Sequence, residues 1–146
     1  MQKVRDYLIE KDIKPSVQRI AVMKYLWEHR CHPSANDIYE ALHPDMPTLS
    51  LTTVYNTLNL FAEKGAALSI QTGERMCHFD GDMSPHMHLY CTECGKIIDM
   101  SMEDTSAFSK GAAIIDFEIL DTQILIRGRC AECTQKEKEK YNNNQK

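Results

Sequence analysis

His86-Met87-His88 is followed three residues on by Cys91-Thr92-Glu93-Cys94, and a second Cys-x-x-Cys, Cys130-Ala131-Glu132-Cys133, answers it further along the chain. Four thiolates in two close pairs suit a tetrahedral zinc ion and leave no coordination position open. A site built from Cys91, Cys94, Cys130 and Cys133 is therefore expected to be structural rather than catalytic. The competing reading is a pair of redox dithiols. A start as charged as Lys3, Arg5 and Asp6 shows no signal-peptide apolar region and points to the cytoplasm. In that reducing compartment such pairs read as metal sites first.

The two histidines belong to a different donor set. At i and i+2 on a strand, His86 and His88 project from one face. Asp99 falls on the next expected strand, Asp80 closes a hairpin in the first half, and His32 lies in a connector between helices there. Three imidazoles and two carboxylates suit Fe(II), Mn(II), Zn(II) or Co(II), and not a soft-metal thiolate cage. Ligands drawn from both halves would let metal occupancy set their relative orientation. Isolated His and Asp residues are more often ordinary surface or core groups, and it is the His-x-His beside the Cys motif that raises this set above that background. Two histidines and a carboxylate also match the facial triad of non-haem iron oxygenases, but five protein ligands would fill most of the positions such an enzyme needs open.

The elements that must hold these residues can be read in order. Val4, Tyr7, Leu8 and Lys11 make a short amphipathic helix. A second helix opens at Pro15, a favoured first helical position, with Val17, Ile20, Ala21, Met23, Tyr25 and Leu26 as its apolar stripe, and stops before His32-Pro33. Ser34 caps a third helix, with Asp37 three residues on. Ser50 caps a fourth, Leu51 to Lys64, which Gly65 terminates. On this fourth helix Val54, Leu58 and Phe61 point inward. Thr52, Thr53, Tyr55, Asn56 and Asn59 crowd the rest, small or flat polar groups able to approach phosphates and base edges. The same groups would serve as a plain solvated face. Strands near Ala67–Thr72 and Arg75–Asp80, turning at Gly73-Glu74, complete a winged helix-turn-helix with the fourth helix entering a major groove.

The expected fold class is thus α+β: a winged helix-turn-helix domain over residues 1–81, then a small α/β domain over 86–134 with the four-cysteine site, joined by the Gly81–Pro85 linker. A flexible tail of alternating Lys and Glu occupies 135–146. In the second domain, strands at His86–Cys91 and Lys96–Met100, a helix at about Met102–Ala113 weakened by Gly111, and a long strand at Phe117–Arg127 are expected. So small a core often needs a staple, and zinc would tie its first strand to its last.

Composition sets the outer limits. The chain has 146 residues, 42% hydrophobic and 26% charged, as in a globular protein of one or two small domains. No apolar run approaches the roughly 20 residues of a membrane span. The net charge of -4 does not favour nucleic acid, and in residues 1–30 Lys3, Arg5, Lys11, Lys14, Arg19, Lys24 and Arg30 outnumber Asp6, Glu10, Asp12 and Glu28 by only three, so DNA binding must rest on architecture. Cys31 and Cys77 lack Cys-x-x-Cys partners and read as idle thiols. His29 and His43 read as helix-end residues, and His78 as no more than an auxiliary ligand.

Taken together, Lys14-Pro15-Ser16-Val17-Gln18-Arg19, His32-Pro33-Ser34, Thr53-Val54-Tyr55-Asn56-Thr57-Leu58, the run from His86 through Cys94-Gly95-Lys96-Ile97, and the closing Cys130-x-x-Cys133 resemble the ferric uptake regulator superfamily from about residue 1 to 133. The resemblance implies a homodimeric, metal-dependent repressor that binds a palindromic operator in double-stranded DNA. Arg19, Thr52, Thr53, Tyr55 and Asn56 would contact that DNA. Zn2+ would be structural, and Fe2+ or Mn2+ regulatory on His32, Asp80, His86, His88 and Asp99. It points to the peroxide-sensing branch, in which iron-catalysed oxidation falls on ligand histidines, here His32 or His86. Iron-uptake members more often carry Glu at the positions of Asp80 and Asp99 and Arg at that of Asn56, and zinc-uptake members usually place Cys at that of Asp80. An iron-uptake repressor is the alternative within the family.

Overall fold

In the computed structural model, residues 1–73, 76–102, 110, 117–119 and 122–143 are described, without the side chains of 141–143. They form two compact units, Met1–Ser84 and Pro85–Lys146.

In the first unit, four helices precede a two-stranded hairpin: α1 (Gln2–Glu10), α2 (Val17–Glu28), α3 (Ala35–Leu42), α4 (Leu51–Glu63), β1 (Leu68–Gln71) and β2 (Cys77–Asp80). Serine starts three of the helices. Ser16 Oγ accepts from Arg19 N at 3.2 Å, and Ser50 Oγ from Thr53 N at 3.1 Å. Ser34 and Asp37 form a reciprocal capping box: Ser34 Oγ accepts from Asp37 N, and Asp37 Oδ2 accepts from Ser34 N at 2.7 Å. Each such cap is worth about 1 kcal/mol. The second helix opens two residues later than Pro15 suggests, because the serine side chain satisfies the first free N–H groups. Val17 then sits on the solvent side, 77% exposed, outside the stripe assigned to it. Gly65 ends α4 at φ 61°, with Gly65 N donating to Ala62 O and Ala66 N to Phe61 O at 2.7 Å, the paired bonds of a Schellman cap.

The core of this unit collects Leu8, Val22, Met23, Leu26, Ile38, Val54, Leu58, Phe61 and Phe79. In α4 the buried residues Val54, Thr57, Leu58 and Phe61 recur at helical spacing, so its opposite face remains outward. The hairpin is antiparallel, pairing Leu68 with Asp80 and Ile70 with His78. Its inner residue Phe79 donates its N–H to Pro33 O at 3.0 Å, which fixes β2 beside the segment leading into α3.

The second unit is a three-stranded sheet of β3 (His86–Cys91), β4 (Ile97–Ser101) and β5 (Leu125–Gly128) in the order β4-β3-β5, followed by α5 (Ala131–Asn143). β3 is central, antiparallel to β4 and parallel to β5. The long strand expected from Phe117 is confined to Leu125–Gly128; the polar residues Thr122 and Gln123 precede pairing, and 117–119 are not strand. The helix expected at about 102–113 lies almost wholly outside the described residues. The segment expected as a tail is helical to Asn143, its Lys and Glu being good helix formers. Among the described residues of this unit, Tyr90 and Cys91 are the buried hydrophobics. No helix among the described residues is long and apolar enough to cross a membrane.

Candidate metal centres

Sheet pairing assembles the cysteine cluster. Cys91 ends β3 opposite Gly128 of β5, and Cys130 follows two residues later. Gly95, at φ 72°, turns the chain after Cys94 so that its N–H reaches Cys91 O at 2.9 Å, while Cys91 N donates to Lys96 O at 2.9 Å. Thr92 N donates to Gly128 O, joining the first knuckle to the second, and α5 begins between Cys130 and Cys133. One sulfur from each of Cys91, Cys94, Cys130 and Cys133 lies within 4.8 Å of all the others, and Cys94 Sγ is 3.8 Å from Cys130 Sγ. Zinc–sulfur bonds of about 2.3 Å in a tetrahedron require sulfurs about 3.8 Å apart, so the cluster fits zinc.

The electrostatics of the cluster favour a cation. Backbone N–H groups, that of Cys130 foremost at 3.3 Å, lower the Cys91 thiol to about 6. Cys133 is pushed up to about 12, first by its hydrogen bond with Cys130 and then by burial. The backbone donors thus favour the thiolate at Cys91, while its sulfur neighbours favour the thiol at Cys133. Around the cluster Arg129 pairs with Glu93 of the first knuckle at 3.3 Å and with Glu137 of α5, and Lys96 pairs with Glu132 at 3.5 Å.

The histidines lie on the same strand, five and three residues before Cys91. His86 and His88 share a face of β3, and their Nε2 atoms are 3.0 Å apart. Asp99 pairs directly with His88 across the β3–β4 ladder; its Oδ1 is 3.5 Å from His88 Nε2 and 3.7 Å from His86 Nε2. Two nitrogens bound cis at right angles, about 2.1 Å from one ion, would stand about 3.0 Å apart, as these do. This unit thus presents two imidazoles and a carboxylate to one point.

Within the first unit, His32 and Asp80 come together. His32 Nε2 is 3.7 Å from Asp80 Oδ2, and both residues are buried. The backbone of His32 is left-handed, at φ 53°. Asp82 N donates to Asp80 Oδ1 at 2.8 Å and fixes the rotamer of that carboxylate. Arg30 and Asp82 bridge at 3.2 Å on the flank. The sequence makes His78 an auxiliary ligand at most; its Nδ1 lies 2.8 Å from the His32 carbonyl, which accepts only. That contact and the Arg30–Asp82 bridge went unread in the sequence. The position of His78 two residues before Asp80 on a strand was the available signal.

The residues expected to meet DNA do not share one environment. Thr52, Tyr55 and Asn56 are exposed on α4. Thr53 is half-buried, and its Oγ1 is 2.8 Å from Ser50 Oγ, so it belongs to the helix cap. Arg19 on α2 donates from a guanidinium N–H to Lys14 O at 2.8 Å.

The fold and the sites define a known class. The profile of the ferric uptake regulator family matches residues 10–127, and the chain belongs to that family. Its curated relatives include the peroxide-responsive repressor PerR of Staphylococcus aureus, 34% identical over 130 residues that cover 88% of each chain. The peroxide stress regulator of Campylobacter jejuni superposes with a TM-score of 0.69 at 26% identity, over 90% of this chain and 97% of that one. The ferric uptake regulator of Pseudomonas aeruginosa, solved with manganese, shares the fold at a TM-score of 0.69 and 23% identity, over 87% and 97%. These relatives are regulators, one of them a repressor.

Proposed function

We propose that the chain is a metal-dependent, peroxide-responsive repressor that binds a palindromic operator as a homodimer in the cytoplasm. Residues 1–81 act as a winged-helix DNA-binding domain and 86–134 as a dimerisation and metal-binding domain. The observation that carries the reading is a pair of nitrogen-and-oxygen half-sites, one in each unit: His32 with Asp80, and His86 with His88 and Asp99. Neither supplies a full shell, so a metal held by all five would draw the units into one arrangement. Swinging a population from 1:99 to 99:1 takes about 5.5 kcal/mol of preference for that arrangement. Two recognition helices, with Arg19, Thr52, Thr53, Tyr55 and Asn56 toward the DNA, would then match the half-sites of the operator.

The cysteine set would hold Zn2+ permanently. It anchors the end of the strand that carries His86 and His88, and so fixes the regulatory ligands. Fe2+ in the regulatory set supplies the redox chemistry that makes peroxide an oxidant there, whereas Mn2+ supports repression without it. In the reaction the peroxide O–O bond would break: one oxygen would replace hydrogen on a ring carbon of His32 or His86 as a C–O bond, and the other would leave as water, the displaced hydrogen and the two peroxide protons being divided between the two products. An oxidised imidazole is a poorer ligand, so His32 or His86 would lose its hold and the operator would be released. Asp at positions 80 and 99, together with Asn56, favours this branch over an iron-uptake repressor. The five-donor set disfavours a non-haem iron enzyme.

A duplex selected from a random pool by the Mn(II)-loaded protein tests the reading. Binding that needs the metal, weakens with salt and is lost in His88→Ala supports it. Metal-independent binding, or none, sinks it.

A further inference from the structure

The segment His32-Pro33-Ser34 runs against β2 through several contacts. Phe79 N donates to Pro33 O at 3.0 Å, and Ser34 bridges His78 in antiparallel fashion. His78 Nδ1 is 2.8 Å from His32 O. A carbonyl only accepts, so Nδ1 carries the proton and donates. The residue that receives this bond has the left-handed backbone, φ 53°, and stands immediately before a proline, which narrows its choices further. A β-carbon disfavours that conformation, so something must hold it. His78 and Asp80 share a face of β2. One strand therefore delivers both the carboxylate beside the His32 ring and the N–H that grips the His32 backbone.

We propose that His78 is a positioning residue for the regulatory metal site: by donating from Nδ1 to the His32 carbonyl, it holds the strained His32 backbone so that the imidazole meets Asp80. This rests on the reading of His32 as a ligand. Its demand on position 78 is specific, because the side chain must place an N–H donor at the distance of the imidazole Nδ1. Asparagine places its amide nitrogen near that point. Glutamine overshoots by one methylene, and leucine fills the volume without a donor.

The zinc-loaded full-length protein is titrated with Co(II), whose d–d absorption reports coordination by nitrogen and oxygen. Wild type is compared with His32→Ala, His78→Leu, His78→Gln and His78→Asn. His78→Leu and His78→Gln should weaken Co(II) by about 10–100-fold, the range of second-sphere losses, and alter the d–d bands, with His78→Asn restoring both. If His32→Ala binds Co(II) as wild type does, the ligand reading fails and this inference with it. If His32→Ala weakens binding but His78→Leu and His78→Gln match wild type, the positioning role alone is wrong. Equal losses in His78→Asn and His78→Leu would also overturn it, since the donor would then not matter. Should His78→Leu fail to fold, as judged by its thermal melt, the contrast between Asn and Gln decides.

Discussion

His88 and Asp99 face each other across the β3–β4 ladder, with Nε2 3.5 Å from Oδ1. Direct cross-strand partners put their side chains on one face at close range, so the pairing register itself builds this half of the proposed ligand set. Asp99→Asn keeps the shape and removes the charge. We expect it to weaken Mn(II) binding at least tenfold, read by competition with a metal indicator, while zinc content stays unchanged. Undiminished Mn(II) affinity would remove Asp99 from the ligand set.

The cysteine cluster ties the end of β3 to the segment that follows β5. Cys91→Ser should release zinc and unpair β3 from β5, seen as lost amide protection at His88 and Thr92, whose N–H groups donate to Ile124 O and Gly128 O, while the helices of the first unit keep theirs. A zinc-free variant with a protected sheet would deny the cluster its structural role.

Exposed Asn56 and Tyr55 on α4 suit base-edge contact, and Arg19 suits phosphate. Asn56→Ala should cost about 1–3 kcal/mol of operator affinity and relax sequence preference. Arg19→Ala should weaken all duplexes alike and reduce the slope against salt by about one ion. Thr53→Val separates the two roles open to Thr53: with its hydroxyl 2.8 Å from Ser50 Oγ in the cap of α4, the variant should lower the melting temperature, and a loss of operator affinity beyond the loss of folded protein would mark the DNA contact.

Tyr7 donates its hydroxyl to Ala66 O at 3.0 Å, joining α1 to the turn after α4. Burial, then the nearby Glu10 carboxylate, raise its pKa above 10.0. The folded state holds this proton more tightly than the unfolded one. The contribution is therefore complete below pH 10 and is lost as pH rises through the folded value. Tyr7→Phe should destabilise the first unit by about 1 kcal/mol at neutral pH, and the difference from wild type should shrink in alkali, as urea melts at pH 7 and pH 10.5 would reveal.

Much of this was legible because it is local. The Cys-x-x-Cys pairs, the serine caps at Ser34 and Ser50, and Gly65 as terminator each depend on neighbouring residues alone. Pro15 and Ser16 both signal a helix start, and the side-chain bond from Ser16 decides it. The strand expected from Phe117 ends up short because pairing with β3, a tertiary event, selects Leu125–Gly128 from a longer apolar pattern. The grip of His78 on His32 joins residues far apart in sequence through a backbone carbonyl, which carries no signature of its own.

The account stands most directly on the chemistry of His32 and His86. The protein is loaded with Fe(II) or with Mn(II), bound to its selected duplex and given a low dose of hydrogen peroxide; DNA retention and peptide masses are then measured together. The Fe(II) form should release the duplex and carry one added oxygen on His32 or His86, and the Mn(II) form should do neither. An Fe(II) form that keeps its duplex with both histidines unmodified would contradict the peroxide-sensing account.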